Sequence, residues 1–143
     1  MNDLNRADYA ALVLRVSLGV MFIAHALLKL LVFTLPGTVQ FFASVGFPGP
    51  MAYLVFALEL VGGAMLVLGL YTRAVSMVLI PILLGAALVH WPNGWVFSAP
   101  NGGWEYPVFL AVASAVQALL GDGAYSVGRL LVPVPQLEST PAG

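Results

Sequence analysis

His25 and Lys29 stand four residues apart in a stretch with almost no other polar side chain, and Glu59 stands alone in a second such stretch. An imidazole, an ammonium and a carboxylate can pair, exchange protons, or hold the polar head of a small molecule. In an apolar medium each is costly unless it finds a partner. His90 and Glu105 lie at the ends of two further apolar stretches. At about 100° per residue, Arg15, Gly19, Phe22, His25 and Lys29 fall within roughly a third of one helix circumference. That stripe needs partners, and the rest of the chain must supply them.

The elements that carry these groups are long and apolar. Residues 10–33 are almost unbroken, and at ~1.5 Å per residue they can cross a hydrocarbon core of ~30 Å. Residues 51–70 carry one charge, Glu59; residues 74–91 carry no Asp, Glu, Lys or Arg; residues 104–120 carry Glu105. Pro36-Gly37, the GFPGP run at 46–50, Tyr71-Thr72-Arg73 and Gly121-Asp122-Gly123 punctuate them. Residues 38–45 are too short to span and suit an interfacial or re-entrant helix. The 143 residues are 61% hydrophobic and 8% charged, where a soluble domain has about 25% charged. The expected fold is therefore all-α: an integral membrane bundle of four transmembrane helices. A single domain over 1–132 is followed by a proline-rich, disordered tail at 133–143. The first span lacks an A-x-A cleavage site after it and reads as a retained helix. With no cysteine, thiol redox chemistry, disulfides, iron–sulfur clusters and a cysteine-borne lipid are excluded. The net charge of -1 gives no nucleic-acid signal.

Arg6, Arg73 and Arg129 mark the N-terminus, the turn between the second and third spans, and the C-terminal segment, while the loop before 104 has no Lys or Arg. Both termini are therefore predicted to be cytoplasmic. Tyr9, Tyr71 and Tyr125 then sit at one interface; Tyr53, Trp91, Trp95, Trp104 and Tyr106 sit at the other. On this topology five ionisable groups converge on the outer half of the bundle. Lys29, His90 and Glu105 line a mouth, together with Asn93 and Tyr106. His25 and Glu59 lie deeper, with Glu59 ~12 Å into its helix.

Lys29–Glu59, Lys29–Glu105 and His25–Glu59 all satisfy the need for counter-charge, and the spacing does not choose among them. The group is either a hydrogen-bonded network that ties helices together or a pocket for a polar-headed small molecule and its protons. No metal is expected, because the Glu-x-x-His pattern of bundle metal sites is absent and Lys29 repels a cation. Arg15 is expected to snorkel to the cytoplasmic interface or, failing that, to pair inside the bundle. Gly62 and Gly63 are expected to set helix separation. The first and third spans each carry a His in the outer half, followed by a helix carrying a Glu, a pattern suggesting two related hairpins.

A set of motifs runs along this frame: Leu14-Arg15 with Gly19, Phe22, His25 and Lys29, then Phe41-Phe42-Ala43-Ser44-Val45-Gly46-Phe47-Pro48. Glu59-Leu60-Val61-Gly62-Gly63, Gly69-Leu70-Tyr71-Thr72-Arg73 and His90-Trp91-Pro92-Asn93-Gly94 follow. Asn101-Gly102-Gly103-Trp104-Glu105-Tyr106 and Gly121-Asp122-Gly123-Ala124-Tyr125-Ser126 complete it. Over roughly residues 12–131 the chain resembles the DoxX family, within the DoxX/DoxD-like group of small four-helix membrane proteins. The resemblance implies a multi-pass protein of the bacterial inner (cytoplasmic) membrane. The family takes its name from a terminal-oxidase-associated subunit. Its relatives include a quinone-reducing membrane subunit of thiosulfate dehydrogenase, and many members carry only a general oxidoreductase label.

The leading expectation is a redox-associated, quinone-interacting membrane subunit whose electron donor is a partner protein. Glu59 and His25 would hydrogen-bond or protonate the head-group, and Lys29 would stabilise a reduced, anionic form. His90 and Glu105, with Asn93 and Tyr106, would bind ligand and relay protons outward. Two other readings stand beside it: a small-molecule carrier or receptor, which favours a homo-oligomer, and a non-catalytic membrane anchor for a partner enzyme. These readings leave open whether the chain is itself an enzyme.

Overall fold

The structure is a computed structural model describing residues 5–131, among which all regular structure is helical. Helices α1 (Arg6–Leu27), α2 (Leu35–Ser44), α3 (Met51–Leu68), α4 (Thr72–His90), α5 (Glu105–Leu120) and α6 (Val127–Leu131) follow in order. A π-helical turn, Leu28–Val32, prolongs α1, and a 3-10 turn, Trp91–Asn93, follows α4. The proline-rich tail expected at 133–143 lies outside the described residues. α1 with its π turn, α3, and α4 with its 3-10 turn are long and apolar enough to cross a membrane; α5 is shorter, at 16 residues.

Local chemistry sets the helix ends. Asn5 and Asp8 form a capping box, with each side chain accepting from the other's backbone N–H at 3.0 and 3.1 Å. α1 therefore begins four residues before the apolar stretch does. Pro36 sits in the first turn of α2, where its missing N–H costs nothing. The Phe33 N–H reaches back five residues to the Leu28 carbonyl at 3.0 Å, which closes the wide π turn that carries Lys29.

α1 packs chiefly on α3 and α4 chiefly on α5, while α3–α4 and α1–α5 contacts close the ring. In lipid there is little hydrophobic gain from joining apolar helices, so close van der Waals fit must hold them. At the α1–α3 crossing a Cβ on Gly19 would lie 2.6 Å from the Gly63 carbonyl oxygen, and one on Gly63 would lie 2.8 Å from that of Gly19. Those backbones touch, and no larger residue fits. Gly62 faces α4 instead, where a Cβ would meet the flexible tips of Leu79 at 3.3 Å. Leu18, Phe22, Leu66, Leu79, Leu83, Leu110, Ala111 and Ala113 fill the middle of the bundle. Val61, Leu88, Phe109 and Leu119 lie exposed on the outer surface of the bundle.

Each hairpin ends in the same turn. Gly69-Leu70-Tyr71-Thr72 follows α3 and Gly123-Ala124-Tyr125-Ser126 follows α5. The glycines have φ of 72° and 68°, and the tyrosines 47° and 50°. Left-handed tyrosines are strained, so tertiary contacts must hold them. Arg15 supplies such a contact at Tyr125 and bonds the last turn of α3 just before the other turn. Its side chain is buried, and its Nε donates to Asp122 O at 2.8 Å. Nη1 donates to Leu66 O and Val67 O, and Nη2 to Ala124 O and Tyr125 O, at 2.6–3.2 Å. The expected snorkelling anchor is thus an internal staple. All its donors are used on carbonyls, two in the last turn of α3 and three in the turn after α5. We call this the termini end. The end bearing α2 and the 91–104 loop is the loop end.

Candidate functional site

At the loop end, Lys29 Nζ lies 2.7 Å from Glu59 Oε2, with the side chains 18% and 7% exposed. Of the three pairings open to the sequence, this is the one that forms. Lys29 reaches Glu59 from the π turn, and Glu59 is four residues before Gly63, on the side of α3 that meets α1. A pair this dry carries no net charge into the bilayer, yet either member alone would.

His25 is half-buried one turn below Lys29. Its Nδ1 lies 2.8 Å from the Met21 carbonyl and its ring stacks on Tyr106 at 5.9 Å and 25°. A carbonyl accepts only, so Nδ1 carries a proton and Nε2 is the ring nitrogen left free of this bond. The Tyr106 hydroxyl is directed at Met21 Sδ, 3.8 Å away. Tyr106 therefore links the α1 group to α5.

Beyond Tyr106 lie two adjoining hollows. His90, Phe97, Gly102, Gly103, Tyr106 and Pro107 line one of about 230 Å³. Trp95, Phe97, Glu105, Tyr106 and Phe109 line the other, of about 330 Å³. His90 Nδ1 is buried there without a hydrogen-bond partner. Gly102 keeps the space before it open, since a Cβ at that position would stand 3.5 Å from this nitrogen. An apolar cavity of about 150 Å³ holds a benzene ring, so each hollow has room for a six-membered ring.

The other mouth residues brace the loop. Asn93 Nδ2 donates to Asn101 O at 3.1 Å and Gly102 O at 2.8 Å, and Glu105 Oε1 accepts from the Phe97 N–H at 2.9 Å. Trp104 stacks on Trp91 at 4.6 Å and meets Trp95 edge-on at 4.5 Å, so these rings hold one another. The sequence-predicted residues thus fall into three linked groups: Lys29 with Glu59, His25 with Tyr106, and His90 with Tyr106 and Glu105 around the hollows. Phe97 and Pro107 were not anticipated, while Gly102 reads in the sequence as part of a turn that could present backbone N–H groups at the mouth. Their signal, a Gly-rich loop between two aromatic clusters, reads equally as a turn. Among the described residues, no group of three or more His, Cys, Asp or Glu is placed to hold a metal ion.

Residues 10–91 match the DoxX family. CatD of Bacillus subtilis (strain 168), provisionally named an oxidoreductase, is 41% identical over 116 residues, covering 80% of this chain and 81% of that protein. The inner membrane protein YphA of Escherichia coli (strain K12) is 32% identical over 142 residues, 90% of this chain and 99% of its own. The inner membrane protein YqjF of the same strain is 29% identical over 126 residues, covering 87% and 93%. No solved structure matches the chain. The motifs that position the Lys29–Glu59 pair, together with these matches over most of the sequence, show that the chain belongs to the DoxX family.

Proposed function

We propose that this chain is an inner-membrane, redox-associated subunit that receives the ring of a quinone-type amphiphile in the hollow between His90 and Tyr106. The observation that carries the reading is the buried, unpartnered Nδ1 of His90, a residue that lines a ring-sized apolar space. An unsatisfied buried polar atom costs ~1–3 kcal/mol, and a ring carbonyl would supply its partner. Tyr106 and Phe97 offer flat apolar faces, and the outward-pointing Phe109 leads from the second hollow to lipid. The membrane placement and redox association agree with the names of the relatives YphA, YqjF and CatD.

Reducing a quinone to the quinol takes two electrons and two protons. The chain has no cysteine couple, so the electrons are assigned to a partner protein. Nε2 of His25 and the Glu105 carboxylate are the groups positioned to pass protons on either side of Tyr106. Lys29 and Glu59 brace α1 on α3 beside His25.

Quinones quench tryptophan fluorescence, and Trp95 lines the second hollow. A short-chain quinone titrated into nanodisc-held protein should quench saturably. The His90→Ala variant should lose saturation without losing thermal stability. Non-saturable quenching that is identical in wild type and variant would refute the reading. It would leave a membrane anchor for a partner enzyme as the remaining reading.

A further inference from the structure

We infer that the termini end of the bundle holds a cluster of internal water molecules between α4 and α5. Thr72 Oγ1, Ser76 Oγ, Ser114 Oγ and Gln117 Oε1 are buried without hydrogen-bond partners, and all four residues are 0% exposed. Thr72 opens α4 and Ser76 follows one turn later on the same face; Ser114 and Gln117 share a face in the last turns of α5. All four lie within about 9 Å of the same end of this closely packed helix pair.

Neighbouring bonds hold the two outermost of these residues in place. The Thr72 N–H donates to Asp122 Oδ1 at 3.2 Å, and Gln117 Nε2 donates to Gly121 O at 2.8 Å. The remaining atoms are three hydroxyls, which both give and take, and one amide oxygen, which needs a donor. A bilayer interior offers no bulk water to meet that need.

The neighbouring charge selects the ligand class. Arg15 fixes a positive charge at this end, bonded through Asp122 O to the residue that caps Thr72. The Asp122 carboxylate, whose Oδ1 accepts from the Thr72 N–H, balances that charge, so no net charge at this end calls for an ion among the four oxygens. All the Arg15 donors are spent on carbonyls, so an anion finds no free donor there. A neutral molecule that both donates and accepts fits both constraints. With two to four bonds each, about two waters satisfy the four atoms. The apolar layer of Leu79, Leu83, Leu110 and Ala111 lies between these oxygens and His90, so the cluster does not supply protons to the loop end. Its role is adhesive, joining α4 to α5 where lipid gives apolar seams little advantage.

Radiolytic hydroxyl-radical footprinting of the full chain in nanodiscs tests this, because radicals form at bound water and modify the nearest side chains. Leu79, 1% exposed and one turn beyond Ser76, should be oxidised. Phe22, more reactive but inside the apolar layer, should be spared. The Ser76→Ala/Ser114→Ala double variant should lose the Leu79 modification and melt about 4 °C or more lower. An unmodified Leu79 in the wild type overturns the inference without any variant. So does Leu79 oxidation that survives in the double variant, or a Tm that stays level or rises, since removing a dry, unpartnered hydroxyl costs nothing.

Discussion

The ammonium of Lys29 and the carboxylate of Glu59 meet at 2.7 Å across the α1–α3 seam, with the carboxylate the drier of the two. Lys29→Met therefore strands the more deeply buried charge and should cost more than Glu59→Gln, each on the order of 3–5 kcal/mol. The Lys29→Met/Glu59→Gln double variant should recover most of that loss. A double-mutant cycle on unfolding in lipid reads the coupling, and strictly additive losses would show that the two groups act separately.

Arg15 gives the sharpest contrast with the sequence expectation. A snorkelling anchor tolerates lysine, whereas an internal staple does not, because an ammonium cannot reach carbonyls on both α3 and the turn after α5. Arg15→Lys should lose several of the five bonds, roughly 1.5–3 kcal/mol for each. A thermal melt within a degree or two of wild type would restore the anchor role.

Gly63 and Gly62 should separate under the same substitution. Gly63→Ala places a methyl on the Gly19 carbonyl and should lower the Tm substantially. Gly62→Ala meets only the movable tips of Leu79 and should change stability by less than about 1 kcal/mol. Equal effects at the two positions would contradict the backbone contact between α1 and α3.

Orientation can be read with reporter fusions. Arg129 pairs with Asp8 at 2.8 Å, and Arg73 lies against Gly121, so both arginines belong to the termini end. Fusions after Tyr71 and Gly128 should report cytoplasm, and one after Ser98 the outside. An external signal after Tyr71 would place the His90–Tyr106 hollow on the cytoplasmic face.

The sequence by itself determined that the fold is a helical membrane bundle, because span length, apolar content and glycine–proline punctuation are local properties that the bilayer enforces on any chain. It also showed that His25, Lys29 and Glu59 need partners, since the cost of charge in lipid does not depend on which partner answers. The tertiary structure alone decided the answers. Lys29 chose Glu59 because the π turn and the Gly19–Gly63 contact bring those helices within reach, a geometry that no spacing along the chain encodes. Arg15 turned inward because the last turn of α3 and the turn after α5 bring carbonyls to it, and those carbonyls come from segments more than fifty and one hundred residues away. His90, Tyr106 and Gly102 became the walls of one hollow because the loop folds back over α4 and α5. In sequence the same residues read equally well as interface anchors and turns.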